Sequence, residues 1–418
     1  MIFFILYDIF FILGLIIYFF HHLYHKKITF KALAEKLTFY SIKREKEKSI
    51  WFHGVSVGEV LLLRNLVAAL EKNYKIIISS TTLSGKTVAY KNYPSCRVIY
   101  FPFDLSFCIK RAIRLINPRI FISLETEIWP NLYYHLKKRN IPVIILNGRI
   151  SDKAFRWYKK VKWIMRKILK NVDFIGVQNQ KYKERFLFLG VDKEKIEVLG
   201  NLKFSSLSLD EKKLLSFQKR FSFFKKGERL LIVAGSTHHP EEEIILEIYK
   251  NLTSKYNFLC LFIAPRHIER ISFLEKKIKE KGFHPVRISK GVSSFGGNDI
   301  FLLDTVGDLF YFYSIADICF VGGSLINYGG HNILEPLYFS KPTLFGPFMD
   351  NFKDVEKEVL DKKAALKVRD KKELEEVLGR LIRDPFLREE LRKKASYLFK
   401  ESRIILKRNL EVIKKWLR

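Results

Sequence analysis

Two α/β domains, each a doubly wound parallel sheet, are what this sequence predicts, and three observations lead there. Apolar runs of four to seven residues recur along the chain, and the segments between them are long enough for a crossover helix, the pattern of βαβ units. At least nine such runs are present, more than one open sheet holds comfortably. Finally, 418 residues with 48% hydrophobic content exclude a disordered or fibrous chain and suffice for two separate cores.

The elements begin with residues 2–20, almost wholly apolar apart from Asp8, Gly14, Tyr7 and Tyr18. As a helix this stretch reaches about 28 Å, long enough to span a bilayer. It lacks the basic start and small-residue cleavage site of a secretory leader, since no Lys or Arg precedes Lys26, so residues 1–24 are expected to form an uncleaved anchor. Asp8 keeps an interfacial or buried helix open as the alternative, because a carboxylate costs up to ~3 kcal/mol at the bilayer centre. Lys26, Lys27, Lys31, Lys36, Lys43, Arg44, Lys46 and Lys48 follow against only Glu35, Glu45 and Glu47, which places the rest of the chain on the cytoplasmic side.

Strands are expected at residues 49–53, 76–79, 120–124, 143–146 and 174–177, forming an N-terminal domain over 25–204. A second series at 230–234, 258–264, 301–303, 318–321 and 343–345 forms a C-terminal domain over 228–418. Between them the Ser- and Lys-rich stretch 205–227 reads as an interdomain linker. In such sheets ligands bind beyond the carboxyl ends of the strands, so the residues that follow each run are the candidates for chemistry.

Lys and Arg number 75 against 44 Asp and Glu, a net charge of +31 that calls for an anionic partner: a phosphorylated or carboxylated substrate, an acidic membrane face or nucleic acid. Cys96, Cys108, Cys260 and Cys319 are widely separated with no C-x-x-C, which argues against a zinc ribbon or a disulfide scaffold and fits a reducing compartment. No D-x-D, H-E-x-x-H, Walker lysine or G-x-G-x-x-G occurs, so a metal-bridged diphosphate, a zinc protease, a P-loop ATPase and a dehydrogenase lose support. Metal-independent chemistry is expected.

Gly54-Val55-Ser56-Val57-Gly58-Glu59 follows the first strand and feeds an apolar-periodic helix at 60–70, with Glu59 in the first turn. There it either complements the helix dipole or takes a proton from an attacking hydroxyl, with Gly54 and Gly58 letting a substrate approach. Glu125 and Glu127 end the strand at 120–124, in a segment closed by Pro130 that serves either as a turn or as a site. Lys203, in Gly200-Asn201-Leu202-Lys203-Phe204, supplies a cation unless it is simply a solvated surface lysine.

In the second half, Ala234-Gly235-Ser236-Thr237-His238 forms a turn whose backbone N–H groups are placed to cradle a phosphate. Pro265-Arg266-His267 puts a guanidinium at a strand end, and Asp304-Thr305-Val306-Gly307-Asp308 opens a helix with Asp304 as its cap. The richest stretch runs from Gly322-Gly323 to Gly329-Gly330-His331-Asn332-Ile333-Leu334-Glu335-Pro336, four glycines in nine residues followed by Asn332 and Glu335 at capping-box spacing. A loop this costly to order points to use, a glutamate at such a helix start being able to accept both hydroxyls of a ribose. Residues 153–170 interleave eight Lys and Arg with Phe155, Trp157, Tyr158, Trp163 and Met165, the pattern of a basic amphipathic helix lying on an anionic bilayer or of a solvated basic face.

Six of these motifs, at 56–59 (S-V-G-E), 125–131 (E-T-E-I-W-P-N), 200–204 (G-N-L-K-F), 234–238 (A-G-S-T-H), 265–267 (P-R-H) and 329–336 (G-G-H-N-I-L-E-P), together resemble one family. It is the Kdo transferases, the 3-deoxy-D-manno-octulosonic acid transferases of lipopolysaccharide synthesis, and the motifs stand in the family's order from about residue 1 to 400. The resemblance implies a GT-B fold with two domains facing a cleft, CMP-Kdo as donor, the lipid A precursor as acceptor at the cytoplasmic face of the inner membrane, and no cofactor. By it Glu59 is the general base of an inverting transfer, and Glu125 and Lys203 stabilise the transition state, with Glu127 close enough to compete for that role. Pro265, Arg266, Val306, Gly307, Asp308, Asn332, Ile333, Leu334 and Glu335 match the CMP-binding positions, and anionic lipids join the partners. Asn147-Gly148-Arg149-Ile150-Ser151 departs from the family's more usual Ala at the second place. Two rivals remain: a lipid-linked transferase using a UDP-sugar, and an anchored binder of nucleic acid or anionic lipid. The binder lacks base-stacking motifs, so no nucleic-acid partner is expected.

Overall fold

The structure is a computed structural model that describes residues 2–24, 30–40, 44–207, 209–225, 229–292 and 296–417. It divides into two compact units, Met1–Ser208 with Ser402–Arg418, and Leu209–Glu401.

The first unit holds seven parallel strands: β1 Ser49–His53, β2 Lys75–Ser80, β3 Arg97–Tyr100, β4 Pro118–Leu124, β5 Val143–Gly148, β6 Phe174–Val177 and β7 Ile196–Val198. They lie in the order β3-β2-β1-β4-β5-β6-β7, so the winding reverses between β1 and β4. Both faces are covered, which is why the strands read as unbroken apolar runs: Ile50 and Phe52 pack on one side while Trp51 packs with Phe121 on the other. Ile413 and Leu417, from the end of the helix Pro385–Leu417, complete the Ile50 side.

The second unit repeats the design with β8 Leu230–Thr237, β9 Leu259–Pro265, β10 His284–Arg287, β11 Asp299–Leu302, β12 Ile318–Val321, β13 Thr343–Phe345 and β14 Leu366–Lys367. The order β10-β11-β9-β8-β12-β13-β14 reverses its winding between β8 and β12. The stretch expected to be a linker is instead largely core of this unit. A helix, Glu211–Arg220, and the turn after it bring Phe217, Phe221 and Phe224 against Phe262, Phe301 and Phe312, with Phe217–Phe312 and Phe224–Phe262 centroids both 4.8 Å apart. The phenylalanines recur at roughly helical spacing, and that aromatic stripe outweighs the surrounding lysines. Residues 402–417, expected in the second domain, belong to the first unit for the corresponding reason: their apolar stripe covers its sheet.

The N-terminal helix runs Ile2–Tyr24. Phe4 is buried and stacks on Tyr134 at 4.1 Å, Phe11 meets Phe103 edge-on, and Asp8 Oδ1 accepts hydrogen bonds from Asn131 Nδ2 (2.7 Å) and the Ser106 N–H (3.1 Å). The stripe 4-8-11-15 thus faces the first unit, leaving Ile5, Leu6, Ile9, Phe10, Ile12 and Leu13 exposed. Among the described residues no helix is long and apolar enough to cross a membrane, and the side chains of residues 16–24, on which the expected span depends, lie outside the described residues.

Candidate active site

An open α/β sheet splays at its switch in winding, and there Glu59 follows β1, Glu125 and Glu127 follow β4, and residues 332–335 follow β12, while Lys203 follows β7, Pro265 and Arg266 end β9 and 306–308 follow β11. The helix expected at 60–70 is two, Val57–Leu62 and Arg64–Leu70, the first capped by Ser56. Glu59 lies buried in that first turn. Its Oε2 accepts from the Val55 N–H at 2.8 Å and its Oε1 from Ser56 Oγ at 2.9 Å, so the carboxylate is fixed in one orientation. Burial pushes its pKa up against those hydrogen bonds, and the charge of Glu125 adds to the rise. At Gly54 a Cβ would lie 3.1 Å from Glu59 Cβ and 3.2 Å from the helix backbone, so glycine there lets the turn pack closely on the helix start. At Gly58 a Cβ would meet only ordinary contact.

Glu125 leaves β4 with φ +56°, a left-handed conformation that a glutamate adopts only under constraint. Its Oε2 accepts from Arg149 Nε at 2.7 Å, and Lys203 Nζ stands 3.9 Å from its Oε1. Lys203 is therefore no solvated surface lysine. Asn147 Oδ1 accepts from the Leu202 N–H at 2.9 Å and Asn201 Oδ1 from the Lys203 N–H at 3.0 Å, holding the turn Leu202–Ser205 over β5. Glu127, half-buried near both other glutamates, has its pKa pushed up to about 8 by loss of solvent and then by the charges of Glu59 and Glu125. The structure thus brings Glu59, Glu125, Glu127 and Lys203 together, and it adds Arg149, legible in the sequence only as part of an unexplained N-G-R-I-S.

In the second unit a buried carboxylate joins the expected phosphate cradle to the glycine-rich loop. The Glu241 carboxylate, fully buried, accepts from the N–H groups of His238 (3.0 Å), Gly323 (2.7 Å), Ser324 (3.0 Å) and Leu325 (2.9 Å). Of the expected cradle at 234–238 the His238 N–H is thus engaged by protein, together with three N–H groups of the glycine-rich loop, and Glu241 itself was visible only as part of an acidic helix start. Its signal is the spacing His238-x-x-Glu241, a carboxylate three residues after a turn. Gly235 lets Tyr313 pack over the end of β8: a Cβ would fall 2.0 Å from the Tyr313 hydroxyl.

Around this loop stand Pro265 and Arg266, the latter tied through its N–H to the Thr237 carbonyl at 2.9 Å. Glu335, half-buried, has its pKa pushed up to about 7 by loss of solvent, opposed by a hydrogen bond from Asn332 and by Arg266. Asn332 Nδ2 donates to Glu335 Oε1 (3.3 Å) and its Oδ1 accepts from the Leu334 N–H (3.2 Å), so the two side chains bond each other in place of the reciprocal backbone bonds of the expected capping box. Ile333 and Leu334 are buried in the core and offer a ligand backbone alone. Val306, 88% exposed, and Gly307, at φ +88°, precede Asp308, which pairs with Lys213 at 3.3 Å. Thr305 and Asp308 line a cavity of about 420 Å³ shared with Lys213, Ser289 and Phe312. All four cysteines are free thiols. The basic segment expected as one helix is two, Asp152–Lys160 and Lys162–Leu169, with Trp157 and Trp163 exposed by 62% and 67% and Lys160 over the Trp157 ring.

Solved structures share this architecture. A UDP-GlcNAc 2-epimerase from Neisseria meningitidis superposes with a TM-score of 0.56 at 15% identity, over 87% of this chain and all of that one. The glycosyltransferase of kitacinnamycin gives 0.54 at 13% identity, over 90% of this chain and all of that one. At these identities the likeness is of fold alone, the two-sheet GT-B architecture.

A family profile described as 3-Deoxy-D-manno-octulosonic-acid transferase (kdotransferase) matches residues 31–206. The 3-deoxy-D-manno-octulosonic acid transferase of Haemophilus influenzae is 33% identical over 393 residues, 93% of this chain and 92% of that protein. A bifunctional glycosyltransferase/methyltransferase of Fusobacterium nucleatum subsp. nucleatum is 38% identical over 378 residues, and the match spans 88% of this chain but only 57% of that protein. The chain belongs to the Kdo transferase family and is a glycosyltransferase.

Proposed function

We propose that this chain transfers Kdo from CMP-Kdo to the lipid A precursor in lipopolysaccharide synthesis, by an inverting, metal-independent displacement. The observation that carries the reading is Glu59: a buried carboxylate, oriented by Val55 and Ser56, whose raised proton affinity makes it a stronger base than a solvated glutamate. It takes the proton of the acceptor hydroxyl as that oxygen bonds the anomeric carbon from the face opposite the departing CMP. Lys203 and Arg149, held on Glu125, supply fixed positive charge where negative charge moves during transfer. On the second unit, Pro265, Arg266, the 306–308 loop and residues 332–335 receive the nucleotide, with Asn332 and Glu335 as hydrogen-bonding partners for it.

The membrane brings acceptor and enzyme together. The exposed apolar face of residues 5–13 and the exposed Trp157 and Trp163 among lysines support contact with anionic lipid on the cytoplasmic side of the inner membrane, with the N-terminal helix as anchor. The test is purified protein with CMP-Kdo and a tetraacyl disaccharide bisphosphate, without added metal, read by mass spectrometry beside Glu59→Ala. Product mass raised by whole Kdo units, absent in the variant, is expected and also counts the sugars added. Absence of transfer by folded, CMP-binding protein would move the function to another donor or acceptor.

A further inference from the structure

His238, at the end of β8, and His331, in the glycine-rich loop after β12, face each other with their Nε2 atoms 2.8 Å apart and their rings within 4° of parallel. At that separation one nitrogen carries a proton and the other accepts it; two imidazoliums cannot share the contact. The pair is built in from several sides. The His238 N–H is fixed by Glu241, Tyr328 stacks on the His238 ring at 4.2 Å, and a Cβ at Gly323 would lie 2.8 Å from His331 Cδ2. Glycine at 323 is therefore what lets the second imidazole lie against the loop.

Arg266, His267 and Arg270 stand around the pair, with His267 against Glu269 and Arg270 against Glu242, both at 3.4 Å. Arg266 and His267 lower the proton affinity of both imidazoles, and Arg270 that of His238, while burial is the largest cause for each, taking His331 down to about 4. Tyr328 adds no charge, and the nearest carboxylate on the facing helix, Glu241, is committed to four backbone N–H groups. A neutral proton-sharing pair beside Arg266 is placed to meet an anion, and an anion's arrival raises its affinity for one extra proton.

We propose that His238 and His331 together donate a proton to the phosphate of the donor nucleotide as it departs. This rests on the transferase reading, since it needs a nucleotide phosphate beside Arg266. With the donor bound, the pair takes one proton from solvent and becomes an imidazolium donating to a neutral imidazole across the 2.8 Å contact. In transfer, the bond between anomeric carbon and phosphate oxygen breaks with its electron pair passing to that oxygen. The acceptor oxygen forms the new bond and gives its proton to Glu59. The extra proton of the pair passes to the departing phosphate, leaving two neutral imidazoles and a monoprotonated nucleotide. Solvent then removes the proton from Glu59.

The experiment compares the unaltered enzyme with His238→Asn, His331→Asn and His331→Gln, measuring CMP binding by calorimetry and turnover of CMP-Kdo from pH 5.5 to 9. CMP affinity within threefold in every variant, kcat lowered by about 100-fold in the two asparagine variants, and loss of the fall in kcat at high pH are expected. His331→Gln, which keeps a polar terminus near Nε2, should bind CMP equally and lack the same alkaline limb. If the unaltered enzyme binds CMP and the variants turn over within threefold of it with the same pH profile, the proton-donor assignment falls while the nucleotide reading stands. If the unaltered enzyme binds no CMP, both fall.

Discussion

Asp8, in the middle of the most apolar stretch of the chain, hydrogen-bonds Asn131 across 2.7 Å and so ties the N-terminal helix to the first sheet. Asn131 is in turn held by Asp104, whose Oδ2 accepts the Asn131 N–H at 3.0 Å and whose carbonyl accepts from Asn131 Nδ2 at 2.6 Å. A charge that would be a liability in lipid is here the fastening point of the helix. Asp8→Ala should release the helix, with amide hydrogen exchange over residues 2–15 rising at least tenfold while β1 and β4 keep their protection. Unchanged exchange over 2–15 would mean that Phe4 and Phe11 hold the helix without it.

Glu59→Gln keeps an oxygen for the Val55 N–H but cannot accept a proton. Turnover should fall by about 10²–10⁴, with thermal stability unchanged within a degree or two. In the unaltered enzyme the rate needs ionised Glu59, so activity rises with pH through a limb lying above the ordinary carboxylate range. A variant retaining more than a tenth of the activity would remove Glu59 from the role of base.

Glu127 binds its proton more tightly folded than unfolded, its pKa standing at about 8 against an ordinary 4.5. The folded chain then holds more protons across that interval, so stability from this group is complete below pH ~4.5 and lost as pH rises through about 8. Glu127→Gln, neutral throughout, should gain melting temperature relative to the unaltered protein at pH 8.5 and differ little at pH 5. An equal difference at both pH values would show that Glu127 does not carry a proton in the fold.

Glu241→Ala strips four buried N–H groups of their acceptor. Each unsatisfied donor costs about 1–3 kcal/mol, so the second unit should lose most of its stability, seen as an early calorimetric transition. A melting temperature within 3 °C of the unaltered protein would show that water replaces the carboxylate.

Replacing Lys153, Lys159, Lys160 and Lys167 by glutamine should weaken binding to anionic vesicles several-fold in low salt, since each basic residue near such a surface contributes about 1 kcal/mol. Binding to neutral vesicles should not change. Identical binding to anionic vesicles would leave the basic face a solvated one.

The ten strands legible in the sequence are the ten interior ones, and the four it concealed are the four sheet edges, Arg97–Tyr100, Ile196–Val198, His284–Arg287 and Leu366–Lys367. An interior parallel strand is buried on both faces and reads as a solid apolar run; an edge strand is short, mixed and polar. The same distinction governs the site. Glu59, Glu125 and Arg266 stand next to readable strands, whereas Lys203 follows the concealed edge strand Ile196–Val198 and was legible only through its Gly-Asn turn. Arg149 and Glu241 act through partners distant in sequence, Glu125 and the loop 323–325, and spacing along one chain does not reveal pairing across a fold. The histidine pair was invisible for that reason too, its members lying 93 positions apart.

The helix Pro385–Leu417 begins in the second unit and finishes against the first, where Ile413 and Leu417 close a core that also holds Ile50 and Phe52. During synthesis the first sheet must therefore wait with one face uncovered while the whole of Leu209–Glu401 is translated, ~10–40 s at about 5–20 residues per second. The core begun first is thus closed by residues made after the whole of Leu209–Glu401, so the two units cannot mature strictly one after the other, and loss of residues 410–417 is felt in the sheet built from residues 49–198.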